Sequence, residues 1–461
     1  MWLKKHDTIA AIATPPGPGG VGVVRVSGLL VLDLAANILK KKDFVHRQAI
    51  YSDFLGDNGE VLDRGLAIFF KAPNSFTGED VLELQAHGSP VVLDLLLRRI
   101  INLGGRLAEP GEFSKRAFLS GKIDLVQAES VLSLIHAQTE QAARASVRSL
   151  RGDFSNRINV LQQELINLRM QIEGSIDFPE DMDGLAVQEL LNTGLNTIKS
   201  QVGVTLQQAK QGNLINSGVN AVILGGPNVG KSSLLNLLAG DDVAIVTDIP
   251  GTTRDILTQK INIDGLLIHF SDTAGIRETS DLVESIGIQR AKDRIKFSDL
   301  ALHLVSANEF EWSNNNLEQI FNDDIYKDLA KIPKILIVNK IDLAPAVEPK
   351  VIVKNNVSIV WVSVKERLGV DLLLQQIKRM VGFEEQSEVF TARTRHIVAL
   401  QQALEYIENG LNLSGPQSTD HIIDLLAEEL RLAQQELSKI TGEFSSEDLL
   451  GKIFAEFCIG K

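Results

Sequence analysis

Gly225-Gly226-Pro227-Asn228-Val229-Gly230-Lys231-Ser232 decides the fold of the middle of this 461-residue chain. Its spacing is that of a phosphate-binding loop, and it follows the β-branched run Ala221-Val222-Ile223-Leu224 and precedes Leu234-Leu235-Asn236-Leu237-Leu238. A strand that turns at glycines into a helix aims backbone N–H groups at one spot, with the positive end of the helix behind them. Lys231 is then placed to reach β- and γ-phosphates, and the Ser232 hydroxyl to ligate Mg²⁺. From about residue 219 to residue 380, strand-like runs at 221–224, 266–270, 301–305 and 335–338 alternate with helical patterns, which predicts a doubly wound α/β module.

The ends of those strands carry further chemistry. Asp272-Thr273-Ala274-Gly275 closes the run at 266–270, placing a carboxylate near Mg²⁺ and the Gly275 N–H against a γ-phosphate. Asn339-Lys340-Ile341-Asp342 closes another. The Asp342 carboxylate can accept from guanine N1–H and the exocyclic amine, neither of which adenine offers. Ser363-Val364-Lys365 suits a loop over the base, and Gly251-Thr252-Thr253-Arg254-Asp255 places Thr253 to complete Mg²⁺ coordination when a γ-phosphate is present. Ile276 stands where small Ras-like GTPases carry the glutamine that orients water, so a carboxylate downstream, Glu278 or Glu284, must act instead.

Outward from this module the texture changes. Phe154, Ile158, Leu161, Leu165, Leu168 and Ile172 recur at steps of four and three, as do Leu426, Leu430, Ala433, Leu437 and Ile440, the seams of helices packed on helices. The α/β module reads as an insertion into a helical domain, with hinges expected at 212–218 and 381–388. The first hundred or so residues mix short β-rich runs (21–26, 66–70, 81–84) with a helix near 90–101, an α+β or α/β domain.

Composition narrows the function. With 44% apolar and 23% charged residues the chain is globular, and its length calls for two to four domains. Its single cysteine, Cys458, excludes a disulfide framework and a cysteine zinc cage, and is expected to be a small buried side chain. No signal peptide or run long enough to span a membrane is visible, so a cytoplasmic protein is expected. Lys+Arg 46 against Asp+Glu 59 gives a net charge of −13, against broad nonspecific binding of nucleic acid by the whole surface.

The chain as a whole resembles the MnmE (TrmE) family of tRNA modification GTPases. The marks are Thr14-Pro15-Pro16-Gly17, Gly19-Gly20-Val21-Gly22, Arg25-Val26-Ser27-Gly28, Pro73-Asn74-Ser75-Phe76-Thr77-Gly78-Glu79-Asp80, Pro110-Gly111-Glu112-Phe113, Gly121-Lys122-Ile123-Asp124-Leu125 and Phe457-Cys458-Ile459-Gly460-Lys461. The resemblance implies a multidomain α/β and all-α protein. Residues 1–118 would form an N-terminal α/β folate-binding-like and dimerisation domain, 119–216 and 383–461 a discontinuous helical domain, and 217–382 an inserted Ras-like P-loop GTPase domain. It implies a homodimer that joins an FAD-dependent partner in a heterotetramer-type complex. Together they would install an aminomethyl or carboxymethylaminomethyl group at C5 of the wobble uridine of certain tRNAs, with the one-carbon unit carried by 5,10-methylenetetrahydrofolate or a related reduced folate.

The same resemblance places GTP contacts on Asn228, Val229, Gly230, Lys231, Ser232 and Ser233, on Thr247, Asp248, Ile249, Pro250, Gly251, Thr252 and Thr253, and on Asp272, Thr273, Ala274 and Gly275. The base would be met by Asn339, Lys340, Asp342, Ser363, Val364 and Lys365. Mg²⁺ falls to Ser232 and Thr253, and K⁺, in place of an arginine finger, to Asn228, Thr247, Ile249 and Thr252. Glu284 matches the catalytic glutamate that orients water indirectly. The folate contacts fall on Arg25, Glu83, Lys122 and Lys461. A regulatory GTPase that binds RNA or ribosomes without modification chemistry is the alternative; no KH-type GXXG loop in basic context favours it, and no flavin fingerprint supports a folate enzyme acting without a partner.

Overall fold

The computed structural model describes residues 7–177, 184–240, 258–272, 298–308, 332–344, 347–354, 357–384, 389–413, 420–443 and 447–460. These fall into two compact units, one drawn from 7–132, 150–191 and 412–460, the other from 133–149 and 192–411.

The first unit begins with a six-stranded sheet: β1 (Ile9–Ile12), β2 (Gly19–Ser27), β3 (Ala49–Leu55), β4 (Val61–Phe70), β5 (Val81–Gly88) and β6 (Arg106–Leu107), in the order β3-β4-β5-β2-β1-β6. Neighbours are antiparallel except β1 and β6, the α+β form of the two alternatives open in the sequence. Helices α1 (Val31–Leu39) and α2 (Pro90–Asn102) cover one face. Period-two alternation turns Val24, Val26, Leu82 and Leu84 into the core beneath them and sends Arg25 and Glu83, cross-strand neighbours, to the opposite face.

Helices α3 (Glu112–Leu119), α4 (Leu125–Ile135), α5 (Glu140–Leu150) and α6 (Asp153–Asp177) follow, then α7 (Gly184–Ser217). The expected seam of α6 is fully buried and packs on α11 (Asp420–Thr441), whose own seam from Leu426 to Ile440 is buried too. Gln162 Nε2 donates to Ser438 Oγ (2.8 Å) within that interface. Helix α12 (Glu447–Ala455) sets Leu450, Ile453 and Phe454, and the turn after it Phe457, against Leu125, Ala128 and Leu132 of α4. Cys458, expected to be buried with them, is exposed. The chain has left the helix by then, and with Phe457 turned into the core its neighbour faces out.

An ion-pair network ties the start of α3 to the sheet. Arg116, only 3% exposed, pairs with Asp7 (2.8 Å), Glu79 (3.0 Å) and Glu112 (3.0 Å), while Arg106 pairs with Asp7 (2.6 Å) and Glu112 (2.6 Å). Burial alone would raise the Glu112 pKa; hydrogen bonds from Arg106, the Glu109 N–H and Arg116 outweigh it and hold it at about 2. The folded value lies below the ordinary 4.5, so the stabilisation is complete above about pH 4.5 and is lost as pH falls toward 2. Acid unfolding of the first unit, followed by circular dichroism, is expected to shift to higher pH and flatten in Glu112→Gln. An unchanged acid midpoint would show that Glu112 contributes nothing to it.

The second unit holds a seven-stranded sheet: β7 (Val219–Gly225), β8 (Thr258–Ile263), β9 (Leu266–Asp272), β10 (Leu300–Ser306), β11 (Lys334–Asn339), β12 (Val351–Lys354) and β13 (Val357–Trp361). Its order is β12-β13-β11-β10-β7-β9-β8, with parallel pairing in the centre and one antiparallel strand at each edge. Near-continuous apolar runs are what a strand covered on both faces requires. Helices α8 (Lys231–Ala239) and α9 (Val370–Met380), Ala142 and Ala145 of α5, and Ile215 of α7 share one core with this sheet.

In the segment where a hinge is expected, 212–218, α7 runs through Ser217 and the chain turns at Gly218, whose φ is +70°. Gly212 serves a close approach instead, because a Cβ there would come within 1.9 Å of the Phe390 carbonyl oxygen. One residue earlier the Gln211 side chain donates to the Gly382 carbonyl (2.5 Å) and accepts from the Glu384 N–H (3.0 Å), which ties down the first part of the second expected hinge. The rest of that hinge, 385–388, lies outside the described residues. Helix α10 (Thr394–Leu413) meets α7 through the Lys199–Glu408 ion pair (2.9 Å). Among the described residues no helix is long and apolar enough to cross a membrane.

Candidate functional site: a nucleotide cradle at the strand ends

Three loops at the carboxyl ends of β7, β11 and β13 meet, the place where an open parallel sheet receives its ligand. The first is the loop from Gly225 into α8, with Asn228 (φ +58°) and Gly230 (φ +104°) in left-handed conformations. Gly230 admits no side chain: its Cβ would fall 2.3 Å from Asn339 Nδ2. Asn339 fills that space as a tie. Its Nδ2 donates to the Val229 carbonyl (2.9 Å) and its Oδ1 accepts from the Val364 N–H (3.1 Å), so one buried carboxamide joins all three loops. Lys340 Nζ adds a bond to the Asn228 carbonyl (2.6 Å).

Asp342 sits in a single turn of 3₁₀ helix, Ile341–Leu343, where Ser363 Oγ donates to its Oδ1 (2.5 Å). Ser363 in turn accepts from the Glu366 N–H (3.2 Å), and its own N–H bonds the Leu368 carbonyl (2.9 Å). The aspartate is thereby oriented before any base arrives. Lys365 is largely exposed and reaches Glu366 (3.3 Å). Asp342→Asn is expected to weaken GTP by at least tenfold and to shift preference toward xanthine, because the amide replaces one acceptor with a donor. Unchanged kcat/KM for GTP would remove Asp342 from the base site.

Lys231 Nζ lies across the mouth of the phosphate loop on the Gly225 (2.8 Å) and Gly226 (2.6 Å) carbonyls. Ser232 and Ser233 are exposed in the first turn of α8. A hydroxyl presented there is a hard oxygen donor of the kind Mg²⁺ takes, and the exposed Asn228 carboxamide at the loop tip offers a neutral oxygen suited to a monovalent cation. Sequence reasoning missed His303 on β10. Burial, and then the Lys231 charge, push it down to about 4, so it is neutral beside the cradle at pH 7. Its signal was a histidine at an alternating position of the apolar run Leu300–Ser306. Thr247, Asp248, Ile249, Pro250, Gly251, Thr252, Thr253, Thr273, Ala274, Gly275 and Glu284 lie outside the described residues, and Asp272 is described only as the last residue of β9.

In the first unit, Arg25 Nε (2.9 Å) and Nη2 (2.8 Å) both reach Glu83 Oε1, and Nη1 reaches the Gly460 carbonyl (3.4 Å). The guanidinium lies 5.8 Å from the ring centres of both Phe76 and Phe113. Lys122 borders the neighbouring loop, its Cε 3.5 Å from where a Gly78 Cβ would stand. Three of the four residues expected to meet folate are thus placed around one loop and the segment ending at Gly460, while Lys461 lies outside the described residues. A guanidinium near two aromatic rings and facing a carboxylate forms a donor set that fits a flat heterocycle.

Comparison with known proteins bears on the whole chain. The family described as "MnmE helical domain" matches residues 125–458, and "GTP-binding protein TrmE N-terminus" matches residues 8–122. The tRNA modification GTPase MnmE of Hydrogenovibrio crunogenus is 50% identical across 100% of both chains, and that of Proteus mirabilis 48% identical across 100% of both. Among solved structures, a variant of Aquifex aeolicus Era bound to GDP·AlF4⁻ is 26% identical over 41% of this chain and 66% of its own, with a TM-score of 0.26. Similarity at the level of the two full-length relatives, with a matching N-terminal domain and helical domain flanking a P-loop GTPase sheet, means that the chain belongs to the MnmE family.

Proposed function

We propose that this chain is a GTPase that serves tRNA modification. It would hydrolyse GTP at the cradle and act with an FAD-dependent partner to modify C5 of the wobble uridine, using a one-carbon unit from a reduced folate. The observation that carries this reading is the full-length likeness to relatives named tRNA modification GTPases, joined to an intact guanine-side arrangement of Asn339, Asp342 and Ser363. The division of labour follows the expected boundaries: residues 1–118 bind folate and pair two copies, 119–216 and 383–461 carry the helical domain, and 217–382 bind and hydrolyse GTP.

Within the cradle Ser232 and Thr253 would hold Mg²⁺, and Asn228, Thr247, Ile249 and Thr252 would hold K⁺. Bound there, the two cations supply positive charge against the phosphates. Lys231 would leave its carbonyls for the β/γ-oxygens, and Glu284 would hold the attacking water through an intervening one. In the first unit Arg25 and Lys122 would take the ligand's carboxylates and Glu83 the N–H edge of its heterocycle, with Lys461 closing the pocket.

The deciding experiment is an analysis of wobble-uridine nucleosides in cells lacking this protein. Loss of the C5 aminomethyl-type nucleosides, restored by the wild-type gene and not by Lys231→Ala, is the expected result. Unchanged nucleosides with altered ribosome profiles would favour a regulatory GTPase instead. Calorimetry with 5-formyltetrahydrofolate is expected to show at least tenfold weaker binding after removal of Lys461, the loss of one charge-assisted contact. Equal affinity would take Lys461 out of the site.

A further inference from the structure

At the opposite end of the β7 and β9 strands from the nucleotide cradle lies a cavity of about 250 Å³, lined by His136, Gln138, Asn216, Ile215, Leu267 and His269 among others. It forms where the turn between α4 and α5, the last turn of α7 and β9 meet, all within the second unit. Asn220 of β7 is the parallel partner of His269, and β7 ends at Gly225. At about 3.3 Å per residue the cavity is on the order of 15–20 Å from the phosphate loop. It is a separate site.

Its lining limits what could occupy it. Among the described residues no lysine, arginine, aspartate or glutamate lines it, which removes the usual charged means of holding a phosphate, a carboxylate or a hard cation. The inner wall, Ile215 and Leu267, is buried and apolar; His136 and Gln138 are exposed at the rim; Asn216 and His269 are half-buried between. Two carboxamides each present an acceptor beside a donor, the pairing that reads the edge of a base bidentately, and two imidazoles present flat faces. The Thr139 hydroxyl is already committed to the Ala142 N–H (3.1 Å).

His269 is set in place for such a ligand. Its Nε2 edge lies against the turn into β7, 2.8 Å from where a Gly218 Cβ would stand, and the ring bonds the Ser217 backbone. With one ring nitrogen donating, the other is an acceptor. Burial first, then Lys260, lower its pKa, against the Ser217 hydrogen bond and Asp299, which raise it.

We propose that this cavity binds a small, neutral, planar heterocycle with an amide-like edge, the size of a single nucleobase. The volume is below the roughly 300 Å³ at which drug-sized pockets begin, enough for one base and too small for a whole nucleotide. The same chemistry could come from a free base or nucleoside or from an unpaired base of an RNA strand. The proposal does not depend on the uridine chemistry proposed above.

The test uses the full chain with GDP saturating the cradle, so that guanine recognition there does not interfere. Uracil, cytosine, adenine, their nucleosides and a short single-stranded oligoribonucleotide are titrated by saturation-transfer NMR and calorimetry, with acetate and inorganic phosphate as charged controls. At least one base is expected to bind saturably. Gln138→Leu, on the exposed rim, and Asn216→Leu are each expected to weaken it about tenfold, the loss of one paired edge, while GDP binding stays unchanged. A base and its oligonucleotide binding with the same dependence on Gln138 identifies a free-ligand pocket; an oligonucleotide alone showing that dependence identifies an RNA base as the source. Three results would overturn the proposal: no saturable binding of any base or of the oligonucleotide up to about 10 mM, where affinity becomes negligible; binding unaffected by both variants; or tighter binding of acetate or phosphate than of any base.

Discussion

Replacing Glu284 by alanine is expected to lower kcat for GTP hydrolysis by about 10²–10⁴, the usual contribution of a positioned acid–base group. The position after the Asp-Thr-Ala-Gly motif is Ile276, which cannot orient water, and of the carboxylates downstream the family resemblance selects Glu284. Two separable effects are expected in the same assay. Glu284→Ala should slow hydrolysis while keeping the ratio of rates in K⁺ and Na⁺, because its proposed role is toward water, whereas Asn228→Ala should abolish the response to K⁺ over Na⁺. Asn228 stands exposed at the loop tip in a left-handed conformation with its carbonyl on Lys340, so the alanine variant removes the carboxamide at some cost in backbone strain. Single-turnover hydrolysis in KCl and NaCl at matched ionic strength reads both. Equal rates in the two salts would end the cation mechanism, and normal kcat in Glu284→Ala would require another residue to orient water.

The second large effect concerns Arg116, whose guanidinium is buried among Asp7, Glu79 and Glu112. Arg116→Met fills much of the same volume but leaves carboxylates facing each other with Arg106 alone to balance them. Breaking a buried pair from one side costs about 3–5 kcal/mol, because the remaining charge is left uncompensated. Native-state hydrogen exchange of the full chain is the suitable measurement, since a multidomain protein has no single unfolding free energy. Protection of amides in β1, β2 and α3 is expected to fall about 10²–10⁴-fold, with the second unit unaffected. Pairing Arg116→Met with Glu112→Gln should recover part of the loss. A change of less than about threefold, under 1 kcal/mol, would mean that the network is solvated enough to be dispensable.

What the sequence disclosed follows from the range over which its signals act. The runs at 221–224 and 335–338, and the seams of α6 and α11, are local patterns in which burial on both faces or on one stripe dictates which residues are apolar, and the structure buries them as expected. The phosphate loop was legible for the same reason: the turn demands glycine at fixed positions. Long-range ties leave no such trace. Nothing local marks Asn339 as the clasp between Val229 and Val364, or Arg116 as the centre of an ion network, although two stretches that carry the family resemblance supply Glu79 and Glu112 to it. The α7 glycines are ambiguous in the sequence because glycine marks a hinge by entropy and a tight helix contact by size, and only the position of Phe390 distinguishes the two at Gly212. The cavity between α7 and β9 is likewise a product of three segments that only folding unites.

The bond from Arg25 to the Gly460 carbonyl spans 435 positions, whereas the one to Glu83 spans 58. At roughly 5–20 residues per second a ribosome would expose these partners on the order of twenty seconds to a minute and a half apart. During that interval the N-terminal sheet can already hold the guanidinium against Glu83, on the face away from its own core, while the residues that cover it have yet to be made. The Arg25 contact set is completed only once the segment ending at Gly460 has been made. Stalled or truncated chains would carry a folded N-terminal sheet with Arg25 lacking its Gly460 partner, a distinction that a quality-control protease could act upon.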